Sequence, residues 1–164
     1  MNDEKGQLSG EYMLLVRSLI VVLMISIFMI SNENELNIAM AAAKSGADEG
    51  VASSSSAIYP KETFNEYDDM EGLKHPYSVS IVNVSYNSSG IDENYGKQKI
   101  QFKVYAKASA DYNKKELDSI GDRINYNLRK SVATSFNTTN STNKLYNPVF
   151  SNNYVFTTAN VVWI

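Results

Sequence analysis

Between Tyr12 and Ile30 the chain reads YMLLVRSLIVVLMISIFMI, a run of apolar residues interrupted by one charge, Arg17. As a helix rising ~1.5 Å per residue, it is about 28 Å long, close to the hydrocarbon thickness of a bilayer. It is apolar all round instead of along one stripe, so it cannot lie on the surface of a soluble domain. The run has to be buried in lipid or among other helices. The remainder of the 164 residues has a different character, because the chain carries 18 Asn, 20 Ser and 7 Thr. The overall figure of 43% hydrophobic residues therefore averages two unlike parts.

Composition removes several function classes. A net charge of −3 argues against a nucleic-acid binder, which needs a basic face. The chain has no cysteine, which excludes a disulfide scaffold, a thiolate metal site and a cysteine nucleophile. With His75 as its single histidine, it cannot form a site that needs two imidazoles.

Three readings compete for the apolar run. A cleaved secretory signal would use Ser18–Ile30 as its h-region and Ala39-Met40-Ala41 as its cleavage site. The segment before it lacks a positive bias, since Asp3, Glu4 and Glu11 stand against Lys5 and Arg17. The site also lies too far beyond the run, across Asn32, Glu33, Asn34 and Glu35. A plain membrane anchor leaves Glu11 and Arg17 unexplained, because charges are costly in lipid. The two lie six positions apart, on different sides of a helix, so they cannot pair within one chain. Arg17 can snorkel to the headgroups, whereas Glu11 asks for a partner on another chain.

The third reading comes from the start of the chain, Lys5-Gly6-Gln7-Leu8-Ser9-Gly10-Glu11-Tyr12-Met13-Leu14-Leu15. It resembles the QxSxExxxL pattern of archaeal type IV pilin-like proteins with a class III signal peptide, with Gln7, Ser9, Glu11 and Leu15 at the matching positions. The resemblance covers about the first 30 residues. It implies that a prepilin-type aspartic peptidase removes residues 1–6 by cutting between Gly6 and Gln7. It further implies that Glu11 neutralises the new amino group on Gln7 of a neighbouring subunit, since a buried charge is tolerable only when paired. Leu15 belongs to the same assembly motif. An assembly ATPase and a membrane platform protein are the other partners implied. Arg17 departs from many such helices and leaves the packing face open.

Beyond Ile30 the helix is expected to continue. Leu36, Met40, Ala43, Ala47 and Val51 recur on one helical face, and no proline occurs before Pro60. Gly46 and Gly50 weaken its end, and Ser53–Ser56 reads as the loop that closes it. A helix from about Leu8 to Val51 would be roughly 65 Å long. The small residues Ala41, Ala42, Ala43, Gly46, Ala47 and Gly50 favour close helix–helix approach. Lys5 before the span and Glu33 and Glu35 after it suit a cytoplasmic N-terminus and an external C-terminus.

The expected organisation is thus a cleaved leader (1–6), a long helix (7–52) whose residues 12–30 span the membrane, and an extracellular head (53–164). Residues 77–86 and 98–108 alternate apolar and polar, as half-buried strands do, with Asn87–Gly96 as a long loop between them. A helix is expected over about 113–134, with Leu117, Ile120, Ile124, Leu128 and Val132 along one stripe and Asp111 or Asn113 as its cap. Leu145–Phe150 and Tyr154–Ile164 supply one short and one long strand. The class is α+β, with head order ββαββ and the helix laid on one face of the sheet.

No catalytic constellation is visible, and no cofactor or metal is expected. The acidic cluster Glu66, Asp68, Asp69 and Glu71 lacks the spacing of a calcium loop and reads as a solvated loop. His75 precedes Pro76 and reads as structural. Four N-x-[S/T] sequons, at Asn83, Asn87, Asn137 and Asn140, mark acceptors for N-glycosylation, with Asn83 in a strand and the other three in loops. The resemblance implies a pilus subunit, membrane-inserted as a precursor and then polymerised with copies of itself into a helical cell-surface filament, with a role in adhesion. The competing expectation is a single-span, membrane-anchored extracellular binding or sensor module.

Overall fold

The computed structural model describes residues 3–52, 78–109 and 111–164, with side chains described from Gly10 onward. Ser53–Ser56, the acidic cluster and His75 lie outside the described residues. The architecture is α+β: a long apolar N-terminal helix is followed by a small mixed sheet with a second helix. Two compact units divide the chain, Met1–Leu36 and Asn37–Ile164.

Helix α1 runs Asp3–Ala52 without a break, starting five residues earlier than expected. In the second unit the elements follow the order β1 (Val79–Asp92), β2 (Lys97–Ala108), α2 (Lys114–Ser135), β3 (Val149–Phe150), β4 (Tyr154–Thr158) and β5 (Val162–Trp163). Strand order in the sheet is β1-β2-β4-β3, with β5 also on β2. The β1–β2 and β3–β4 pairs are antiparallel, whereas β4 and β5 both run parallel to β2. Helix α2 is the crossover that a parallel β2–β4 neighbour requires.

The β1–β2 hairpin is longer than the alternation suggests, because pairing continues through Asn87 and Ser88 to Asp92. Register shifts at Ile81/Asn83 and Ser88/Ile91 absorb the mismatch, and Gly90 at the second takes φ +82°. The turn itself is short. Asp92 accepts from the Gly96 amide at 2.8 Å and, through Oδ1, from the Asn94 amide at 3.0 Å.

The expected strand over Leu145–Phe150 shrinks to two residues. Asn143 holds the chain before it in a loop, its Oδ1 accepting from the Leu145 and Asn147 amides, each at 3.0 Å. The last strand is also interrupted. The Ala159 amide donates to the Phe102 carbonyl, the chain steps aside through Asn160 and Val161, and β5 rejoins β2 at Tyr105.

Helix α2 forms where the stripe predicts and is capped as expected at Asn113. The Asn113 side chain accepts from the Glu116 amide while Glu116 accepts from the Asn113 amide, which closes a capping box. Ile120, Ile124, Leu128 and Val132 are buried, as are Ile100, Phe102, Val104 and Ala106 along the inner face of β2. Phe102 and Phe136 each stack on Phe156, at 5.6 and 5.7 Å between ring centroids. The opposite face of β2 carries Lys103 and Tyr105, with the Lys103 ammonium over the Tyr105 ring.

The C-terminal part of α1 buries a different stripe from the one its larger residues suggest. Ala39, Ala43, Gly46, Ala47 and Gly50 are buried, while Leu36, Met40 and Val51 are only half-buried. Gly46 and Gly50 do not weaken this end. They are its points of contact with α2.

Candidate functional site

The apolar segment of α1 is the first candidate surface. From Gly10 to Ala52 the helix is long and apolar enough to cross a membrane, with a mean hydropathy of 2.7 over its most apolar window, none of which is buried. Apart from the half-buried Val16, every described residue from Tyr12 to Ile30 is exposed. Two hydroxyls that would be costly in lipid are satisfied within the helix. Ser18 Oγ donates to the Leu15 carbonyl at 2.8 Å and Ser26 Oγ to the Val22 carbonyl at 2.9 Å.

Of the residues expected to carry a processing and assembly motif, Gly6, Gln7 and Ser9 lie on the helical backbone of α1, but their side chains are outside the described set. Glu11 and Leu15 are described, and both are exposed. Arg17 is exposed as well.

Inside the second unit, the small-residue end of α1 has an intramolecular use. A Cβ added to Gly46 would meet the Asn127 carbonyl oxygen at 2.6 Å, and one added to Gly50 would meet the Ile124 Cα at 2.8 Å. Backbones this close tolerate no side chain at the contact, which is how Gly and Ala stripes pack helices. Helix α2 is therefore covered on two sides, by the sheet and by the end of α1, and its polar residues are drawn inside. Arg123, Asn125, Asn127 and Arg129 are each less than a tenth exposed.

Two of these buried side chains find backbone partners next to them. Asn127 Nδ2 donates to the Arg123 carbonyl at 3.1 Å, and Arg129 Nε donates to the Leu145 carbonyl at 3.0 Å. Arg129 Nη1 donates to Thr158 Oγ1 at 2.5 Å. Burial lowers the pKa of the Arg129 guanidinium, an effect opposed by the charge of Asp122 and by Tyr126.

All four sequon asparagines are exposed. Asn83 lies in β1 as expected, but so does Asn87, opposite Gln101, instead of in a loop. Asn140 sits in a single turn of 3-10 helix, Thr139–Ser141. Asn137 has a structural task of its own at the end of α2. Its φ is +54°, its amide donates to the Thr134 carbonyl, and the next amide, Thr138, donates to the Ala133 carbonyl at 2.8 Å. This is a Schellman cap, with Asn in the left-handed position that usually takes Gly.

Among the described residues no group of three or more His, Cys, Asp or Glu could hold a metal ion. Sequence reasoning did not identify Arg129 or the Gly46–Asn127 contact. The Gly46/Gly50 spacing of four was the available signal, read there as a weak helix end. No family model, no curated protein and no solved structure matches the chain.

Proposed function

We propose that the chain is a structural subunit, major or minor, of an archaeal type IV pilus-like surface filament. The observation that carries this reading is a membrane-length helix with an exposed apolar surface, preceded directly by the Gln7-Ser9-Glu11-Leu15 spacing. In this proposal the precursor sits in the membrane with its N-terminus in the cytoplasm. A prepilin-type aspartic peptidase then cuts between Gly6 and Gln7. The apolar helices leave lipid and bury against one another, so that apolar packing replaces lipid contact. The Gln7 amino group of one subunit pairs with Glu11 of the next and sets their register. An assembly ATPase and a platform protein supply the energy and the scaffold, because the chain carries no nucleotide-binding motif. The head faces outward, takes part in adhesion and carries N-linked glycans at its exposed sequons.

Peptide mass spectrometry of the cell-surface protein tests the reading. A mature N-terminus at Gln7 together with shear-released filaments is the expected result. A mature protein that keeps Met1–Gly6 would count against it.

The second reading, a membrane-anchored extracellular binding module, draws on one observation. The small-residue stripe of α1 packs against α2 of its own chain and is not left over for neighbouring copies. Under this reading the mature chain retains residues 1–6 and no filament forms.

A further inference from the structure

The interruption between β4 and β5 has a chemical consequence. Where the chain steps aside through Asn160 and Val161, a cleft of about 340 Å³ opens between that step and the first half of α2. Gly121 also lines it, and an added Cβ there would rest in ordinary contact with Val161 at 3.4 Å and with the Trp163 ring at 3.9 Å. Asp118 and Asp122, one helical turn apart on the same face of α2 and both exposed, line it together with Trp163.

The polar groups of this cleft are mostly acceptors. Asn125 is 6% exposed, and its Nδ2 donates to the Ala159 carbonyl at 2.9 Å, so its orientation is set by that bond. Its Oδ1 is then buried with no hydrogen-bond partner among the described residues. A buried acceptor left unpaired costs about 1–3 kcal/mol, a penalty that a donor from outside would remove. Burial raises the pKa of the Asp122 carboxyl, with Asp118 adding to the effect and Arg129 opposing it. Arg129 is not the missing donor: its hydrogen bonds run to Leu145 and Thr158, and none reaches Asn125 Oδ1. The exposed Lys114 also lines the cleft, and among the described residues no ion pair joins it to Asp118 within 4.0 Å.

Two carboxylates, an unpaired carboxamide oxygen and an indole ring suit a planar cation with several N–H donors. A guanidinium matches carboxylates through its fork of donors and stacks on aromatic rings, which a hydrated ammonium does less well. A neutral sugar would use the indole but would leave the Asp118 charge, and the part of the Asp122 charge that Arg129 does not offset, without a cation, and an anion would be repelled. We infer that the cleft lined by Asp118, Asp122, Asn125 and Trp163 is a binding site for a guanidinium group. This goes beyond the filament reading and does not depend on it.

Trp163 is the chain's single tryptophan, so its fluorescence reports on this cleft alone. The test is a titration of the full-length chain in a non-ionic detergent with methylguanidinium, Nα-acetylarginine amide, methyl glucoside and acetate. Saturable change with both guanidinium probes, and none with methyl glucoside or acetate, is expected. Tighter binding of the arginine derivative assigns the site to an arginine on a peptide, and equal binding assigns it to a free guanidinium compound. Asp118→Asn and Asp122→Asn should each weaken binding about tenfold, as loss of a charge-assisted contact does. Asp111→Asn, outside the cleft, should leave it unchanged. Lys114→Gln removes the exposed cation and should tighten binding, a gain that a damaged fold could not produce. Absence of a saturable response, an equal response to methyl glucoside, or no change in either Asp variant together with no tightening in Lys114→Gln overturns the assignment.

Discussion

Gly46 stands so close to Asn127 that a methyl group on its α-carbon would lie 2.6 Å from the Asn127 carbonyl oxygen. The same methyl would meet Ser131 Cβ at 2.7 Å and the Leu128 Cα at 2.8 Å. Two of these three atoms are backbone and cannot rotate away. Gly46→Ala should therefore destabilise the second unit by about 1–3 kcal/mol, the usual cost of overpacking, despite alanine's better helix propensity. Ser45→Ala, at an exposed neighbouring position, should stay within about 0.5 kcal/mol of the parent. Urea unfolding of both variants in detergent, followed by circular dichroism, compares them directly.

Asn137 joins two roles that substitution can separate. Asn137→Gly removes a sequon but suits the left-handed φ of +54°, so stability should hold or rise slightly. Asn137→Ala removes the same sequon and should cost about 1–2 kcal/mol, the penalty for a Cβ in that conformation. Thermal unfolding of the unglycosylated protein reads the difference. Equal melting points for the two variants would mean that the cap does not govern the end of α2.

Arg129 is 9% exposed and ties α2 to the Leu145 carbonyl and to Thr158 at the end of β4. Arg129→Met keeps much of the volume but leaves that carbonyl without its donor, and a loss of about 2–4 kcal/mol is expected. Arg129→Lys should rescue little, because an ammonium cannot serve both acceptors with the geometry of a guanidinium. Denaturant titration of the pair tests this, and full rescue by lysine would show that charge alone matters.

Under the filament reading, Glu11→Ala should leave cleavage before Gln7 intact yet sharply reduce assembled filaments. Immunoblots of processed subunit set against sheared filament yield separate the two steps. Filaments of normal abundance from this variant would remove the proposed role of Glu11.

The elements most legible in the sequence are those whose side chains carry a periodic signal. Helix α2 announces itself through Leu117, Ile120, Ile124, Leu128 and Val132, with Asp111 or Asn113 as its start, of which the structure uses Asn113. The alternation Ile100, Phe102, Val104, Ala106 marks β2 and the face it buries. The buried face of α1 was harder to see, since Ala39, Ala43, Gly46, Ala47 and Gly50 have too little side chain to register as hydrophobic. What buries them is the nearness of another backbone. The limits of β1, β3 and the final strand were misjudged for a related reason. The β-bulge and the step at Asn160–Val161 depend on partners distant in the chain, whereas the Asn143-centred loop is held by local side-chain bonds that leave no hydrophobic period.

From its sequence alone the chain carries one helix that calls for burial away from water, because nineteen residues with Arg17 as their single charge leave no solvated face. The α+β class of the head followed from the same logic of periodicity. Only the tertiary structure decided which face of α1 meets α2, because that contact is selected by missing side chains instead of present ones. It also decided that Trp163, an ordinary strand residue by pattern, shares a cleft with Asp118 and Asp122. Those positions lie some forty residues apart, and only the parallel return of the chain along β2 brings them together.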